Sequence, residues 1–298
     1  MSANLTYHFA SCEEGKNIIT AEDDFLSSLS NLEMSIRMKK DVYVTKDEFI
    51  AFLSENVLEW DDSDIQKIEY ATEEIQRLLI KHNILISEEI IFIKTTGYEE
   101  EHCGYTRQNA IILPVYKIDN YTKESLIPFI SHEIFHILSR KNKIFRSNMY
   151  DIIGFSLINN LELPLKIQNI KITNPDAPLI NCCTEARTDG ERTFIAPVLT
   201  FNKDKYNSKE KNSYFKSIEE KLIIIENING VWRFKNKNDS PLLYIRSKIE
   251  FLHNELLENA TGLLHPEEIL AECFACMITE KSNINNHDII ESMKHIAL

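Results

Sequence analysis

One helical segment limits what this 298-residue chain can fold into. Residues 131–140 read SHEIFHILSR, and the polar residues His132, Glu133 and His136 stand among apolar ones. A helix that is apolar on all sides is buried in a core. Buried imidazoles and carboxylates require hydrogen-bond partners or a cation. The chain must therefore build a core around a polar cluster on one helix. The apolar neighbours are Phe129, Ile130, Ile134, Phe135, Ile137 and Leu138.

The spacing of the two histidines is typical of a zinc site. His132 and His136 lie one helical turn apart, so their side chains are about 6 Å from each other on one face. Two imidazoles at that spacing can each bind one tetrahedral zinc at about 2.0–2.1 Å. Glu133 lies about 100° further round the helix, where its carboxylate can reach a metal-bound water. The H-E-x-x-H pattern thus supplies two ligands and a general base. The alternative is a core helix whose histidines bond to backbone.

A second helix, near the C-terminus, supplies a candidate third ligand. Open catalytic zinc sites have three protein ligands, and residues 137–142 contain no further histidine or aspartate. Pro266 is suited to begin a helix. The glutamates that follow it lie in the first turn, where the positive end of the helix dipole stabilises negative charge. Glu268 and Glu272 follow at i and i+4, on one face of a helix that we expect to be buried. We assign Glu268 as the third ligand, and expect Glu272 to accept the distal N–H of a ligand histidine. A solvated acidic face is the alternative.

These two helices together resemble those of the gluzincins, the thermolysin-like class of zinc peptidases. Gluzincins pair an HExxH helix with a downstream helix that carries a glutamate ligand and an acid one turn later. The chain is also similar to a set of bacterial zinc-peptidase-like proteins, at residues 104–114, 139–140, 173–178 and 265–275. The resemblance implies an α+β, zincin-like fold. It has a small mixed or antiparallel sheet with an edge strand over the HExxH helix.

The resemblance also implies an activity, that of a zinc-dependent metallopeptidase with Glu133 as general base. In gluzincins the edge strand pairs with an extended peptide, which main-chain hydrogen bonds stabilise. We therefore expect residues 105–113 to bind a peptide or protein substrate, with contacts from Tyr105, Arg107 and Asn109. A zinc-peptidase fold that binds peptides without cleaving them is the alternative.

The oxyanion-stabilising residue is the part of the gluzincin pattern that does not align. Thermolysin-like enzymes use a tyrosine and a histidine for this role. We take Tyr150 as the catalytic candidate, and Tyr105, Arg187 and Tyr244 stay open as alternatives.

The remaining sequence predicts an N-terminal lobe, residues 1–141, and a mainly helical C-terminal lobe, residues 142–298, which together form one catalytic unit. Local signals place helices, strands and turns along both lobes. They are helix caps at Thr45 and near Asp61, a strand at Ile90–Ile93, one strand at Gly104–Pro114, the motif helix from an N-cap at Ser125 to about Lys141, a hairpin turn at Asp189–Gly190, an exposed loop at 202–214 and helices from about Pro241.

Composition narrows the choice of partners and compartment. A net charge of −13 disfavours binding to phosphate backbones. No run reaches roughly 18 apolar residues, so we expect no membrane span. The N-terminus lacks the features of a signal peptide, which predicts a cytoplasmic protein, although signal-independent export as an effector would leave no mark. Six cysteines do not form a disulfide scaffold in a chain of this length. Cys273 and Cys276 with Cys182 and Cys183 are a weaker candidate for a structural metal site. The oligomeric state is not readable.

Overall fold

The computed structural model describes residues 5–203, 206–207, 209, 214–237, 240–252, 263–281 and 287–296. The chain forms two compact units. The first comprises Met1–Glu22, Thr45–Arg146 and Leu270–Leu298, and the second comprises Asp23–Val44 and Ser147–Ile269. The two units thus alternate along the chain, whereas the sequence predicts two successive lobes.

The elements of the described residues mix helices and strands, as the α+β prediction requires. The α-helices are α1 (Cys12–Thr20), α2 (Asp24–Ser28), α3 (Asn31–Arg37), α4 (Lys46–Glu55), α5 (Asp62–Lys81), α6 (Val115–Asn120), α7 (Lys123–Lys141), α8 (Lys143–Ile152), α9 (Leu165–Gln168), α10 (Pro266–Ile278) and α11 (His287–Lys294). The strands are β1 (Tyr7–Phe9), β2 (Val57–Leu58), β3 (Ile90–Thr95), β4 (Tyr105–Arg107), β5 (Ala110–Pro114), β6 (Phe155–Leu157), β7 (Lys171–Ile172), β8 (Cys182–Thr188), β9 (Glu191–Phe201), β10 (Ile218–Ile228), β11 (Val231–Phe234), β12 (Asn236–Lys237), β13 (Ser240–Pro241), β14 (Leu243–Tyr244) and β15 (Glu250–Phe251). Short 3-10 helices occupy Tyr98–Glu100, Tyr214–Ser217 and Arg246–Lys248.

Side-chain caps determine where several helices begin. Thr45 and Glu48 form the reciprocal capping box of α4, and Asp61 accepts hydrogen bonds from two backbone N–H groups of α5. Both caps are where the sequence predicts them. The motif helix α7 begins earlier than predicted, because Thr122 is its N-cap and accepts from the N–H of Ser125. Pro128 therefore lies beyond the first turn, at the cost of one helical hydrogen bond.

The first unit contains a mixed five-stranded sheet with strand order β1-β3-β5-β4, and β2 pairs with β3. Strands β1, β3 and β5 are mutually parallel, while β4 is antiparallel to β5. The sequence predicts a single strand at 104–114, but the structure has a hairpin there. The reason is Gln108, which adopts φ 53° and turns the chain back. Strand β4 is the outer strand of this order, so the predicted edge strand is present in the described residues.

The second unit is built on an antiparallel sheet rather than on helices. Its strand order is β11-β10-β9-β8-β15, and β14, β6 and β7 pair with β10, β8 and β9 respectively. The prediction of a mainly helical region after residue 141 is therefore wrong for 155–251. Buried apolar side chains cover this sheet, among them Ile180, Val198, Ile223 and Ile225. Such apolar runs fit a buried strand as well as a buried helix.

The hairpin predicted at Asp189–Gly190 is confirmed. Thr188 pairs with Glu191, and the two turn residues have φ 52° and 83°, the positive values that a two-residue hairpin turn requires. Residues 204, 205, 208 and 210–213 of the predicted loop at 202–214 lie outside the described residues. Within the described ranges, no helix is both long enough and apolar enough to cross a membrane.

Candidate metal centre

Helix α7 places His132 and His136 side by side. Their ring centroids are 4.8 Å apart, with the ring planes at 81° to each other. His136 is buried, whereas 22% of the His132 side chain is exposed. Apolar residues on the other faces of α7 pack into the core of the first unit, as the sequence predicts. The two imidazoles therefore occupy one face of a helix whose position is determined by packing.

Helix α10 carries Glu268 in its first turn. The helix is continuous from Pro266 to Ile278, and its residues from Leu270 onward belong to the first unit. There the ring of Phe274 lies 5.7 Å from the ring of Phe135, on α7. Because a helix is rigid over such a length, packing of its later turns limits where Glu268 can lie.

His132, His136 and Glu268 form a candidate metal-binding group. Each offers one ligand atom, and these three atoms all lie within 4.8 Å of one another. Ligand atoms of a tetrahedral zinc are roughly 3.3 Å apart, given bonds of about 2.0–2.1 Å. The limit of 4.8 Å exceeds that spacing, so binding of a metal would draw the three donors closer together. Two imidazoles and a carboxylate suit zinc, and also other first-row metals.

Asn174 holds the carboxylate of Glu268. Its Nδ2 donates to Oε1 of Glu268 at 2.6 Å, and its Oδ1 accepts from the backbone N–H of Asp176 at 3.0 Å. The second bond fixes the orientation of the amide, because the oxygen must face Asp176. Sequence reasoning named residues 173–178 only as a turn signal and as part of the resemblance. A ligand glutamate in need of a neutral donor is the signal that could have identified Asn174.

A buried ion pair supports the segment that carries Asn174. Arg37 donates to Glu33 at 2.8 Å, and both side chains are buried. Glu33 also accepts from the N–H of Thr173 at 2.7 Å and from its hydroxyl at 2.9 Å. These charge-assisted bonds anchor Thr173 to helix α3. The backbone immediately before Asn174 is thereby fixed.

The start of α10 is anchored by two further side chains. Nδ1 of His265 accepts from the N–H of Glu267 at 3.2 Å. The hydroxyl of Tyr150 donates to Oε2 of Glu267 at 2.6 Å, and both residues are buried. Tyr150, our candidate for oxyanion stabilisation, therefore contacts the residue before Glu268. Its catalytic role stays a prediction.

Glu133, the predicted general base, is buried with only 3% of its surface exposed. One of its carboxylate oxygens lies within 4.8 Å of a ring nitrogen of His136. The backbone at Gly104 comes close to the same carboxylate, since a Cβ there would lie 3.4 Å from Oε1 of Glu133. That Cβ would also lie 2.3 Å from Cζ of Phe129, so a larger residue would require the Phe129 ring or the loop to move. The loop before β4 thus forms one wall beside Glu133.

Glu272 lies near His132 but is more exposed than the sequence suggests. Its Oε2 is 3.8 Å from Nδ1 of His132, and 63% of its side chain is exposed. This separation exceeds a hydrogen bond. The predicted role, accepting the distal N–H of a ligand histidine, would need a small movement of the exposed carboxylate and stays a prediction.

The residues predicted to contact substrate lie on the β4–β5 hairpin, and their side chains make internal contacts. Tyr105 is buried, and the guanidinium of Arg107 donates to the carbonyls of Ile19 and Ala21 at 3.0 and 2.9 Å. Nδ2 of Asn109 donates to the carbonyl of Glu89 at 2.8 Å. Substrate contact by these three residues stays a prediction.

Arg140, in the last turn of α7, links the motif helix to the hairpin. Its guanidinium donates to the carbonyl of Gln108 at 3.0 Å and to the hydroxyl of Thr106 at 2.8 Å. These two bonds therefore hold the edge strand β4 next to the helix that carries His132 and His136. Sequence reasoning noted Arg140 only within the resemblance.

The other oxyanion candidates have partners at the surface. Arg187 pairs with Glu250 at 3.3 Å, and the hydroxyl of Tyr244 donates to Asp189 at 3.1 Å. Glu185, on the same strand as Arg187, pairs with Arg192. None of these residues belongs to the candidate metal-binding groups of the described residues.

Three of the six thiols are poor nucleophiles. Burial raises the pKa of Cys183 to about 12 and also raises the pKa of Cys276. Desolvation of the Cys103 thiol, and then the charge of Glu100, raise its pKa to about 11. A thiol with a raised pKa is protonated at neutral pH and reacts slowly. Acyl transfer through these three cysteines is accordingly disfavoured.

No family model, curated protein or solved structure matches this chain. The metal-binding group is therefore supported by its own geometry alone.

Proposed function

We propose that this chain is a zinc-dependent metallopeptidase of the gluzincin type. The observation that carries the proposal is the proximity of ligand atoms from His132, His136 and Glu268 beside the buried carboxylate of Glu133. Two imidazoles and one carboxylate are the protein ligands of thermolysin-type catalytic zinc, which leaves one position open. The resemblance of the sequence points to the same ligand set.

The proposed mechanism assigns the proton transfers to Glu133. Zinc, when bound, supplies Lewis acidity that polarises a carbonyl and lowers the pKa of water to about 7. Glu133 takes the proton of the attacking water and delivers it to the leaving amine.

The proposed binding place for the substrate is strand β4, whose three residues are buried. Strand β4 is the outer strand of its sheet in the described residues, and an extended peptide can add to such a strand through main-chain hydrogen bonds. Arg140 fixes β4 relative to α7. A peptide added there would lie alongside β4. Gly104, the residue before β4, borders Glu133.

A zinc-binding protein without catalytic activity is the second candidate. The observation in its favour is that the oxyanion candidates Tyr150, Arg187 and Tyr244 all engage other carboxylates. Without a donor for the developing oxyanion, turnover would fall by a factor of about 10²–10³. The two candidates share the metal site and differ in turnover.

The test is cleavage of a peptide library by the zinc-loaded chain, with Glu133→Gln as the informative variant. We expect wild type to cleave, and Glu133→Gln to retain zinc while losing a factor of about 10²–10⁴ in rate. Glu124→Gln is the matched control, because Glu124 is an exposed glutamate on the same helix. Wild-type rates in Glu133→Gln would refute the mechanism, and zinc binding without cleavage by wild type would favour the binding protein.

A further inference from the structure

The second unit contains a buried ammonium that is incompletely hydrogen-bonded. Lys171, on β7, is only 6% exposed. Among the described residues its Nζ makes one hydrogen bond, to the carbonyl of Pro178, at the long distance of 3.4 Å. An ammonium has three donors, and a buried charge without full compensation is costly. Such a group is suited to an anionic ligand.

Lys171 lines a cleft with aliphatic walls. The cleft is narrow: its enclosed volume is about 30 Å³, it opens to solvent, and Asn174 and His265 are among its polar lining residues. The enclosed part has room only for a small group such as a carboxylate, so the rest of a ligand would lie in the open part of the cleft. The aliphatic lining residues are Ile172, Pro178, Leu179, Val198 and Leu199.

The neighbouring carboxylates leave Lys171 available. Glu33 acts on it only through space, since Glu33 is bonded to Arg37 and Thr173. Glu220 also lines the cleft, but it accepts from the N–H of Leu264 and forms no ion pair with Lys171 within the described residues. Burial raises the pKa of Glu220.

The cleft adjoins the third candidate metal ligand. Asn174 lines the cleft and donates to Glu268 at 2.6 Å. A ligand group in the cleft therefore lies two contacts from Glu268. The cleft is thus connected to the carboxylate of Glu268 through the side chain of Asn174.

We propose that the cleft around Lys171 binds a carboxylate attached to an aliphatic group. If the chain is the metallopeptidase proposed above, its substrates would be peptides that carry a suitably placed carboxylate. Only this statement of the substrate class rests on the proposed function. Both a peptide C-terminus and an acidic side chain offer this chemistry. Lys171 supplies the charge, and the walls around Val198 and Leu199 contact the carbon chain.

The test is direct binding of small probes to the full chain. N-acetyl-leucine carries the carboxylate on a leucine, and N-acetyl-leucinamide is its neutral counterpart. N-acetyl-glutamic acid α-amide instead carries the carboxylate on a side chain. We expect N-acetyl-leucine or the glutamate probe to bind at least about tenfold more tightly than the neutral amide, since a charge-assisted bond is lost in the amide. The stronger of the two acids identifies the source of the carboxylate.

Two variants locate the bound carboxylate. Lys171→Met keeps the aliphatic stem and removes the charge, so we expect the preference for acid over amide to disappear. His132→Ala should lack the metal and retain the preference, which separates binding at Lys171 from ligation of zinc. Because Lys171→Met removes a costly buried charge, its melting temperature should equal or exceed that of wild type.

Methyl NMR provides the second measurement. The chemical-shift changes that the tighter-binding acid induces should be largest for the methyl groups of Ile172, Val198 and Leu199. Equal binding of acid and amide by wild type, unchanged binding in Lys171→Met, or no binding of either acid would overturn the proposal. If the preference depends on Lys171 but no peptide is cleaved, the metallopeptidase proposal fails alone. Equal cleavage rates in wild type and Lys171→Met would instead contradict only the proposed carboxylate subsite.

Discussion

Asn174 orients the carboxylate of Glu268, the third candidate metal ligand. Its amide oxygen is held by the N–H of Asp176, so its nitrogen must face Glu268. A neutral donor orients the carboxylate without competing for its charge, as outer partners of metal ligands commonly do. The buried pair of Glu33 and Arg37 in turn holds the preceding Thr173.

We therefore predict that Asn174→Ala weakens zinc binding by a factor of about 10–100. The cause is loss of the bond that orients Glu268, while the three ligands remain. Zinc affinity measured by competition with a chromophoric chelator checks this result. Asn120→Ala is the control, because Asn120 is exposed and bonds only within its own helix, to the carbonyl of Tyr116. Equal affinity in wild type and Asn174→Ala would contradict the assignment of Asn174.

Lys171 gives a pH-dependent stability with a definite sign. Burial lowers its pKa in the folded chain below the ordinary 10.5. Between that lowered pKa and 10.5 the unfolded chain binds more protons, so stability rises with pH across this window. Below the window the penalty of the buried charge is present in full. Lys171→Met should thus melt higher than wild type near neutral pH.

The difference in melting temperature between Lys171→Met and wild type should shrink by about pH 10. Thermal melts followed by circular dichroism at both pH values measure it. Lys166→Met, which replaces an exposed lysine, should show no such change. A gap that is constant with pH would mean that Lys171 is not penalised by burial.

At the residue scale the sequence predicts the metal-binding group well, because spacing along helices is local. His132, Glu133 and His136 follow from one helical turn, and Glu268 from the helix that Pro266 opens. Asn174 and Glu268 are 94 residues apart, so no local pattern joins them. The exposure of Glu272 was likewise not predictable from its helix face alone.

The structure and the sequence-based expectation differ in the residue that caps the N-terminus of α7. The structure caps this helix with Thr122, whereas the sequence favours Ser125. We predict that Thr122→Ala lowers the free energy of unfolding by about 1 kcal/mol, within the range of N-cap losses. Ser125→Ala should cost less, since its N–H and not its hydroxyl is the capped group. Urea unfolding of the two variants measures this, and the reverse order would support the cap at Ser125.

Gly104 provides a test of the loop that precedes the edge strand. A Cβ at this position would meet Cζ of Phe129 at 2.3 Å. Gly104→Ala should therefore displace the loop beside Glu133 and reduce peptide turnover, with zinc content unchanged. The double variant Gly104→Ala with Phe129→Leu makes room and should recover part of the activity. Wild-type turnover in Gly104→Ala would show that this wall is unimportant.

At the element scale, turns were easier to predict than long-range pairing. The Asp189–Gly190 hairpin follows from its turn residues, and Asn229–Gly230, between β10 and β11, carries the same signal and was missed. The apolar run in β10 is buried over 222–225, and such a run does not distinguish strand from helix. Strands β8 and β15 pair although they are far apart in the sequence, and no local pattern indicates that pairing.

At the scale of the whole molecule, a metal that binds only the folded chain should stabilise it. Free zinc at about 100 times its Kd adds about 2.7 kcal/mol to the free energy of unfolding. We predict that zinc raises the melting temperature of wild type and leaves that of His136→Ala unchanged. Calorimetry with and without a chelator measures the shift. Equal shifts in both proteins would place the zinc elsewhere.

The zinc content of the purified chain tests the central claim most directly. Mass spectrometry of the metal should find one zinc per wild-type chain, and little in His136→Ala or Glu268→Ala, with all three proteins folded by circular dichroism. Glu124→Gln should retain its zinc. Full zinc content in Glu268→Ala, or a folded wild type that takes up no added zinc, would contradict the site formed by His132, His136 and Glu268.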